Sequence, residues 1–80
     1  MKINILYFAS LRDYVGKANE CLQFDAKTDS LTAKAVWDVA TSRRSLPKNT
    51  LIAINQNYVD ADALLHDGDE LAFFPPVTGG

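Results

Sequence analysis

With 80 residues, 48% hydrophobic and 22% charged side chains and a formal net charge of −2, the chain has room for one domain with one core, and its composition excludes a disordered polymer. Surface scaling for 8.8 kDa gives roughly 4,800 Å² folded against roughly 12,800 Å² unfolded, so about 63% of the surface can be buried, enough for a modest core. A pI near 5.1 with interspersed charges argues against nucleic acid as a partner, because the densest basic group, Arg43-Arg44 with Lys48 nearby, reads as a solvated helix end.

From Lys2 to Ala9 the residues alternate as in a strand, with Ile3, Ile5 and Tyr7 facing a core. The opposite face begins polar at Lys2 and Asn4 and ends apolar at Leu6 and Phe8, which are either covered or left for a partner. The apolar stretch Ile3 to Ala9 is too short and too polar for a signal peptide or a membrane span. A connection over Ser10 to Ala18, with a short helical turn around Leu11 to Val15, leads to a second strand near Glu20 to Asp25. Its Leu22 and Phe24 face in, and its Cys21 and Gln23 face out. One cysteine allows no intramolecular disulfide and no multi-cysteine metal site, which suits a reducing, cytoplasmic setting.

Ala33, Val36, Trp37 and Ala40 recur at the spacing of one helix face, with Ser30 or Thr32 as N-cap and Arg43-Arg44 at the C-terminal end of the dipole. Ser45-Leu46-Pro47 ends this helix. Leu51 to Asn55 reads as a third strand, Asn55-Gln56-Asn57 as a turn and Tyr58-Val59 as a short strand. Asp67-Gly68 is a second turn, and Glu70 to Phe74 is the last strand, with Leu71 and Phe73 on one face and Glu70, Ala72 and Phe74 on the other. Pro75-Pro76 then stops any ladder. This order predicts an α+β domain with one main helix across one face of a mixed sheet, and several topologies satisfy it.

The chain divides into a domain over residues 1–74 and an extended, flexible tail, Pro75-Pro76-Val77-Thr78-Gly79-Gly80. The tail carries no charged side chain and narrows to two glycines, whose missing Cβ atoms let the backbone enter a narrow channel. A terminal Gly-Gly is compatible with a frayed end. It also leaves the Gly80 carboxylate unhindered, and a carboxylate becomes an acyl donor once an energy-coupled partner converts it to an acyl-adenylate.

Other candidates are weaker. Cys21 lacks an electropositive motif, and His66 has no second histidine with which to hold a metal. The acidic run Asp60, Asp62, Asp67, Asp69 and Glu70 lacks the glycine of an EF-hand loop. Neither a P-loop nor a dinucleotide fingerprint is present, so the chain itself is expected to bind no metal, nucleotide or other cofactor.

The stretches YFASLRDYVG near the start, AINQNYV at the third strand and turn, and LLHDGDELAFFPPVTGG at the end resemble the family of molybdopterin synthase small subunits. The resemblance spans the chain and weakens between about Asn19 and Asn49. It implies a ubiquitin-like β-grasp fold and a sulfur carrier in molybdenum cofactor biosynthesis, not catalytic alone. By resemblance, Gly80 is adenylated by an ATP-using enzyme similar to ubiquitin-activating enzymes and converted to a thiocarboxylate. Two small subunits then bind two large ones, each inserting its tail, and sulfur passes to a cyclic pyranopterin to build the dithiolene. The resemblance also places Phe8, Tyr58 and Phe74 at contacts with the large subunit and the adenylating enzyme, where Tyr58 replaces a more usual aliphatic residue. Leu6, Phe8, Ala72 and Phe74 form one exposed apolar patch if the first and last strands are neighbours. Alternatives are a sulfur carrier for thiamine or tRNA thiolation, a ubiquitin-like protein modifier, and a binding module with an unmodified tail.

Overall fold

Strict alternation in the first strand sets the orientation of the whole sheet. The structure, a computed structural model, describes residues 1–25 and 30–76. In chain order the elements are β1 (Lys2–Tyr7), α1 (Ser10–Val15), β2 (Asn19–Gln23), α2 (Ala33–Ala40), β3 (Leu51–Ile54), β4 (Asn57–Val59) and β5 (Glu70–Phe74). The strands form one mixed sheet in the order β2-β1-β5-β3-β4. β1 and β5 run parallel at its centre, with Ile5 opposite Leu71 and Tyr7 opposite Phe73, while every other pairing is antiparallel. With the main helix packed over one face, this is the ubiquitin-like β-grasp arrangement.

The core lies between the sheet and the helices. Ile3, Ile5 and Tyr7 of β1, Leu71 and Phe73 of β5, and Ile52 of β3 cluster with Leu11 of α1 and with Ala33, Val36 and Trp37 of α2. Trp37 is fully buried and meets the ring of Phe73 edge-on at 4.9 Å and that of Tyr7 at 6.3 Å. Its indole Nε1 donates to the Arg44 carbonyl at 2.7 Å, so its one polar atom is satisfied. Tyr14 of α1 lies parallel to the Trp37 ring at 6.4 Å, and its hydroxyl donates to the Ser45 carbonyl. The Arg44 guanidinium covers the Tyr14 ring at 5.1 Å.

The start of α2 shows how its first N–H groups, which have no intrahelical partner, are satisfied. Of the two candidate caps, Thr32 takes the role, its Oγ1 accepting from Ala35 N at 3.1 Å. Ala33 N and Lys34 N donate to the carbonyls of Ala63 and Ala61, which fixes the segment before β5 against the helix. The end of α2 departs from the sequence expectation. Thr41 caps it, its hydroxyl donating to the Trp37 carbonyl at 2.7 Å and accepting from Arg44 N. Ser42 and Arg43 then adopt positive φ, so Arg43 and Arg44 lie in the following loop and do not form the last helical turn. A side-chain bond stops the helix well before Pro47.

Smaller differences concern strand ends. β1 stops at Tyr7 because Ala9 turns the chain with φ 51, and β2 spans Asn19–Gln23, not Glu20 to Asp25. The helical turn around Leu11 to Val15 is a six-residue helix ended by left-handed Gly16. β3 and β4 are joined by the two-residue turn Asn55-Gln56, with φ 50 and 71, as a type I′ hairpin requires. Among the described residues, no helix is long and apolar enough to cross a membrane.

Two stability outcomes are expected. Trp37→Ala should cost about 3–5 kcal/mol, a large share of the stability of a domain this small, read as a fall in the urea midpoint. The buried Tyr7 hydroxyl donates to Glu20 Oε2 at 2.7 Å, and burial, that bond and the Glu20 charge all raise its pKa above the tyrosine norm. Folded Tyr7 therefore holds its proton more tightly than unfolded Tyr7, so this contribution is complete below pH about 10 and is lost as pH rises beyond it. Denaturation curves from pH 8 to 12 should show a steeper alkaline decline for the wild type than for Tyr7→Phe.

Candidate functional site

The face of the sheet turned away from α2 is divided into a polar half and an apolar half. The registers place Cys21 and Glu70 beside Asn4, and Gln23 beside Lys2, at the end where β1 and β5 begin. One step further along, a row runs across all five strands through Asn19, Leu6, Ala72, Ala53 and Tyr58. Beyond it Phe74 lies opposite Leu51, and Phe8 N continues the parallel ladder by donating to the Phe73 carbonyl at 3.1 Å.

The large side chains on the apolar half touch one another. The Phe8 and Phe74 rings stack at 4.5 Å with 7° between their planes, and Tyr58 meets Phe74 edge-on at 6.2 Å. Phe8 is 40% exposed and Tyr58 is 72% exposed, while Leu6 and Phe74 are half-buried. The resulting surface is an aromatic patch over two alanines. Ala53 and Ala72 form its floor and are almost completely buried, yet neither belongs to the core cluster on the other side of the sheet. Ala72, expected to be exposed with its neighbours, is instead shielded by them because it ends at a methyl group. Ala53 was not anticipated, since its place on this face follows from the β3–β5 register and not from its own segment.

Because β1 and β5 are parallel, their C-terminal ends meet at the same edge of the sheet. The chain therefore leaves β5 through half-buried Pro75 and exposed Pro76 at the end of the sheet where the Phe8–Phe74 stack sits. Val77, Thr78, Gly79 and Gly80 lie outside the described residues.

Backbone geometry supports this edge. Ala9, directly after Phe8, has φ 51 and ψ −127, a conformation that side-chain-bearing residues rarely adopt. The turn sends the chain from β1 into α1 and leaves the Phe8 ring on the Phe74 ring. Far from it, acidic residues act as acceptors for backbone and side-chain N–H groups. Asp67 Oδ1 accepts from Lys2 N at 2.7 Å, and Asp69 accepts from His66 N and from Asn55 Nδ2. Cys21 is an exposed free thiol on the polar half, and the His66 side chain is largely exposed. Among the described residues, no three His, Cys, Asp or Glu side chains converge to hold a metal.

A family model described as the ThiS family matches residues 5–80. The chain belongs to the ThiS family. A molybdopterin synthase sulfur carrier subunit from Escherichia coli is 39% identical to it, over 98% of this chain and 99% of the relative. Among solved structures, SAMP1 from Haloferax volcanii superposes with a TM-score of 0.77 at 23% identity, covering both chains fully. A complex of subunits 1 and 2 of the molybdopterin-converting factor from Helicobacter pylori contains a chain that superposes with a TM-score of 0.65 at 21% identity, again over both full lengths. These two structures share the fold of this ThiS-family chain.

The strain at Ala9 has a measurable consequence. Ala9→Gly removes the Cβ that opposes this φ and ψ, a relief that exceeds the added entropy of an unfolded glycine. The variant should be more stable by about 1 kcal/mol in chemical denaturation.

Proposed function

We propose that this chain is the sulfur-carrier small subunit of a molybdopterin synthase, acting in the cytoplasm through its C-terminal carboxylate. The observation that carries the reading is the meeting, at one end of the sheet, of an exposed aromatic surface and the exit of the Gly-Gly tail. The full-length similarity to the Escherichia coli sulfur carrier supports the chemistry assigned to that end.

In this reading the Gly80 carboxylate attacks the α-phosphate of ATP held by a ubiquitin-activating-like adenylating enzyme, and pyrophosphate leaves. A sulfide-level sulfur nucleophile then attacks the carbonyl carbon of the acyl-adenylate and AMP leaves, giving a thiocarboxylate. Pro75 and Pro76 hold the exit extended because their φ is fixed, while Val77, Thr78 and Gly79 pass through the narrow approach to the partner's site. The thiocarboxylate sulfur bonds to a carbon of a cyclic pyranopterin in the large subunit as a carbon–oxygen bond there breaks, water then cleaves the acyl–sulfur bond to return the Gly80 carboxylate, and two such transfers complete the dithiolene. The chain supplies a reactive end and a docking surface and is not catalytic alone. It binds no cofactor itself, and ATP is used by the adenylating partner.

Leu6, Phe8, Tyr58 and Phe74 would form the contact with the large subunit, in an assembly of two small and two large chains. Their stacked rings are already ordered in the free chain, so docking them costs little side-chain entropy.

Adding one residue after Gly80, or deleting Gly80, should leave the melting curve unchanged and abolish sulfur transfer with the purified adenylating enzyme and large subunit. Transfer by the extended chain would overturn the proposal. Phe8→Ala should weaken binding to the large subunit by about tenfold or more, with thiocarboxylate formation at Gly80 read separately by mass spectrometry of the C-terminal fragment. A chain that gains the thiocarboxylate yet does not bind the large subunit would point to thiamine or tRNA thiolation, or to protein modification.

A further inference from the structure

Three backbone bonds fix the turn that ends β1. Phe8 N donates to the Phe73 carbonyl at 3.1 Å, Leu11 N closes back on the Phe8 carbonyl at 3.0 Å, and Arg12 N reaches the Ala9 carbonyl at 3.0 Å. With φ 51 and ψ −127, Ala9 has the conformation of the second residue in a type II′ turn, a place that glycine dominates.

Two local rules disfavour alanine here. Its Cβ opposes the backbone conformation, and as the N-cap of α1 it has no side-chain oxygen to offer the free N–H groups of the first turn. Glycine is the better residue on both counts, since it has no Cβ and caps helices better than alanine. Nothing within the described residues offsets the penalty. Ala9 is exposed, and it belongs neither to the core cluster nor to the hydrophobic residues packed against that cluster. The fold uses the turn and not the methyl group.

A residue that breaks local rules without compensation in its own domain points to a role outside it. Ala9 directly follows Phe8, whose ring stacks on Phe74 at 4.5 Å, at the edge where the chain leaves β5. We propose that the Ala9 methyl group is itself a contact for the large subunit, continuing the aromatic surface around the end of β1. The inference rests on the reading of this chain as a molybdopterin synthase small subunit, and it adds a residue that the resemblance did not place at the interface. The partner's surface at this point is apolar, because a methyl group offers nothing else. Burial of one such carbon is worth about a fourfold change in affinity. Alanine at this position therefore lowers the stability of the free chain and raises its affinity.

The test reads stability and affinity in the same full-length chains: the wild type, Phe8→Ala, Ala9→Gly, and a chain with D-alanine in place of Ala9. The last is made by native chemical ligation of a synthetic segment 1–20 to residues 21–80 at the Cys21 thiol, which leaves the Gly80 carboxylate intact. D-alanine takes up the turn without strain and is as restricted as alanine, but its methyl group stands where the α-hydrogen was. Both Ala9 replacements should resist urea better than the wild type and bind the purified large subunit about fourfold more weakly, or worse, by titration calorimetry. Wild-type affinity in Ala9→Gly would overturn the inference. So would a weakened glycine variant beside a D-alanine chain of wild-type affinity, since the freedom of glycine would then be the cause. Loss of binding in Phe8→Ala with none in Ala9→Gly would remove this inference and keep the reading beneath it, whereas a wild type that does not bind the large subunit would overturn both.

Discussion

The fold depends on one side chain that reaches every layer. Trp37 projects from α2 into the sheet, meets Phe73 of the central strand pair, touches Tyr7 of β1 and stacks with Tyr14 of α1. Its Nε1 also ties down the loop after α2 through the Arg44 carbonyl. A domain of this size has few residues to bury, and one large ring that joins two helices, two strands and a loop replaces several smaller contacts. The Trp37 indole is thus a packing hub, and the alternation of β1 and β5 exists to meet it.

The opposite face is built on another principle. Its rings pack on each other above two alanines, outside the core cluster, and their exposed edges remain available. Core packing and the exposed aromatic surface therefore lie on opposite sides of the same strands, separated by residue parity. Leu71 and Phe73 stabilise the fold, while Ala72 and Phe74, one position away, shape the surface. Substitutions on one parity class can vary without disturbing the other.

Much of this was legible in the sequence, for reasons that differ between elements. The period-two pattern of Ile3, Ile5 and Tyr7 and the helical spacing of Ala33, Val36 and Trp37 arise from burial on one side, which composition records directly. The end of α2 was not legible, because the bond from Thr41 to the Trp37 carbonyl is a local choice that competes with a plausible helical continuation to Arg44. The contribution of Ala53 was hidden because it depends on strand order, and the element sequence allows several orders. Phe8 and Phe74 could be placed on the face opposite the core by parity, but their contact with Tyr58 required the β3–β4 hairpin to fold back beside β5. The chemistry proposed for Gly80 rests on the resemblance, since a carboxylate at the end of a glycine pair has no neighbouring side chains that could define its role.

The central pair of the sheet joins the first strand to the last, and this ties the exposed aromatic surface to the completion of folding. Phe8 and Phe74 come from opposite ends of the chain and stack only when β1 and β5 are side by side. Such a distant pairing is among the slowest events in the formation of a small domain, because a long loop must close before the contact rewards it. A chain that has formed α2 and the β3–β4 hairpin but has not seated β5 presents no stacked rings. The stacked aromatic surface therefore exists only on chains whose core is already closed.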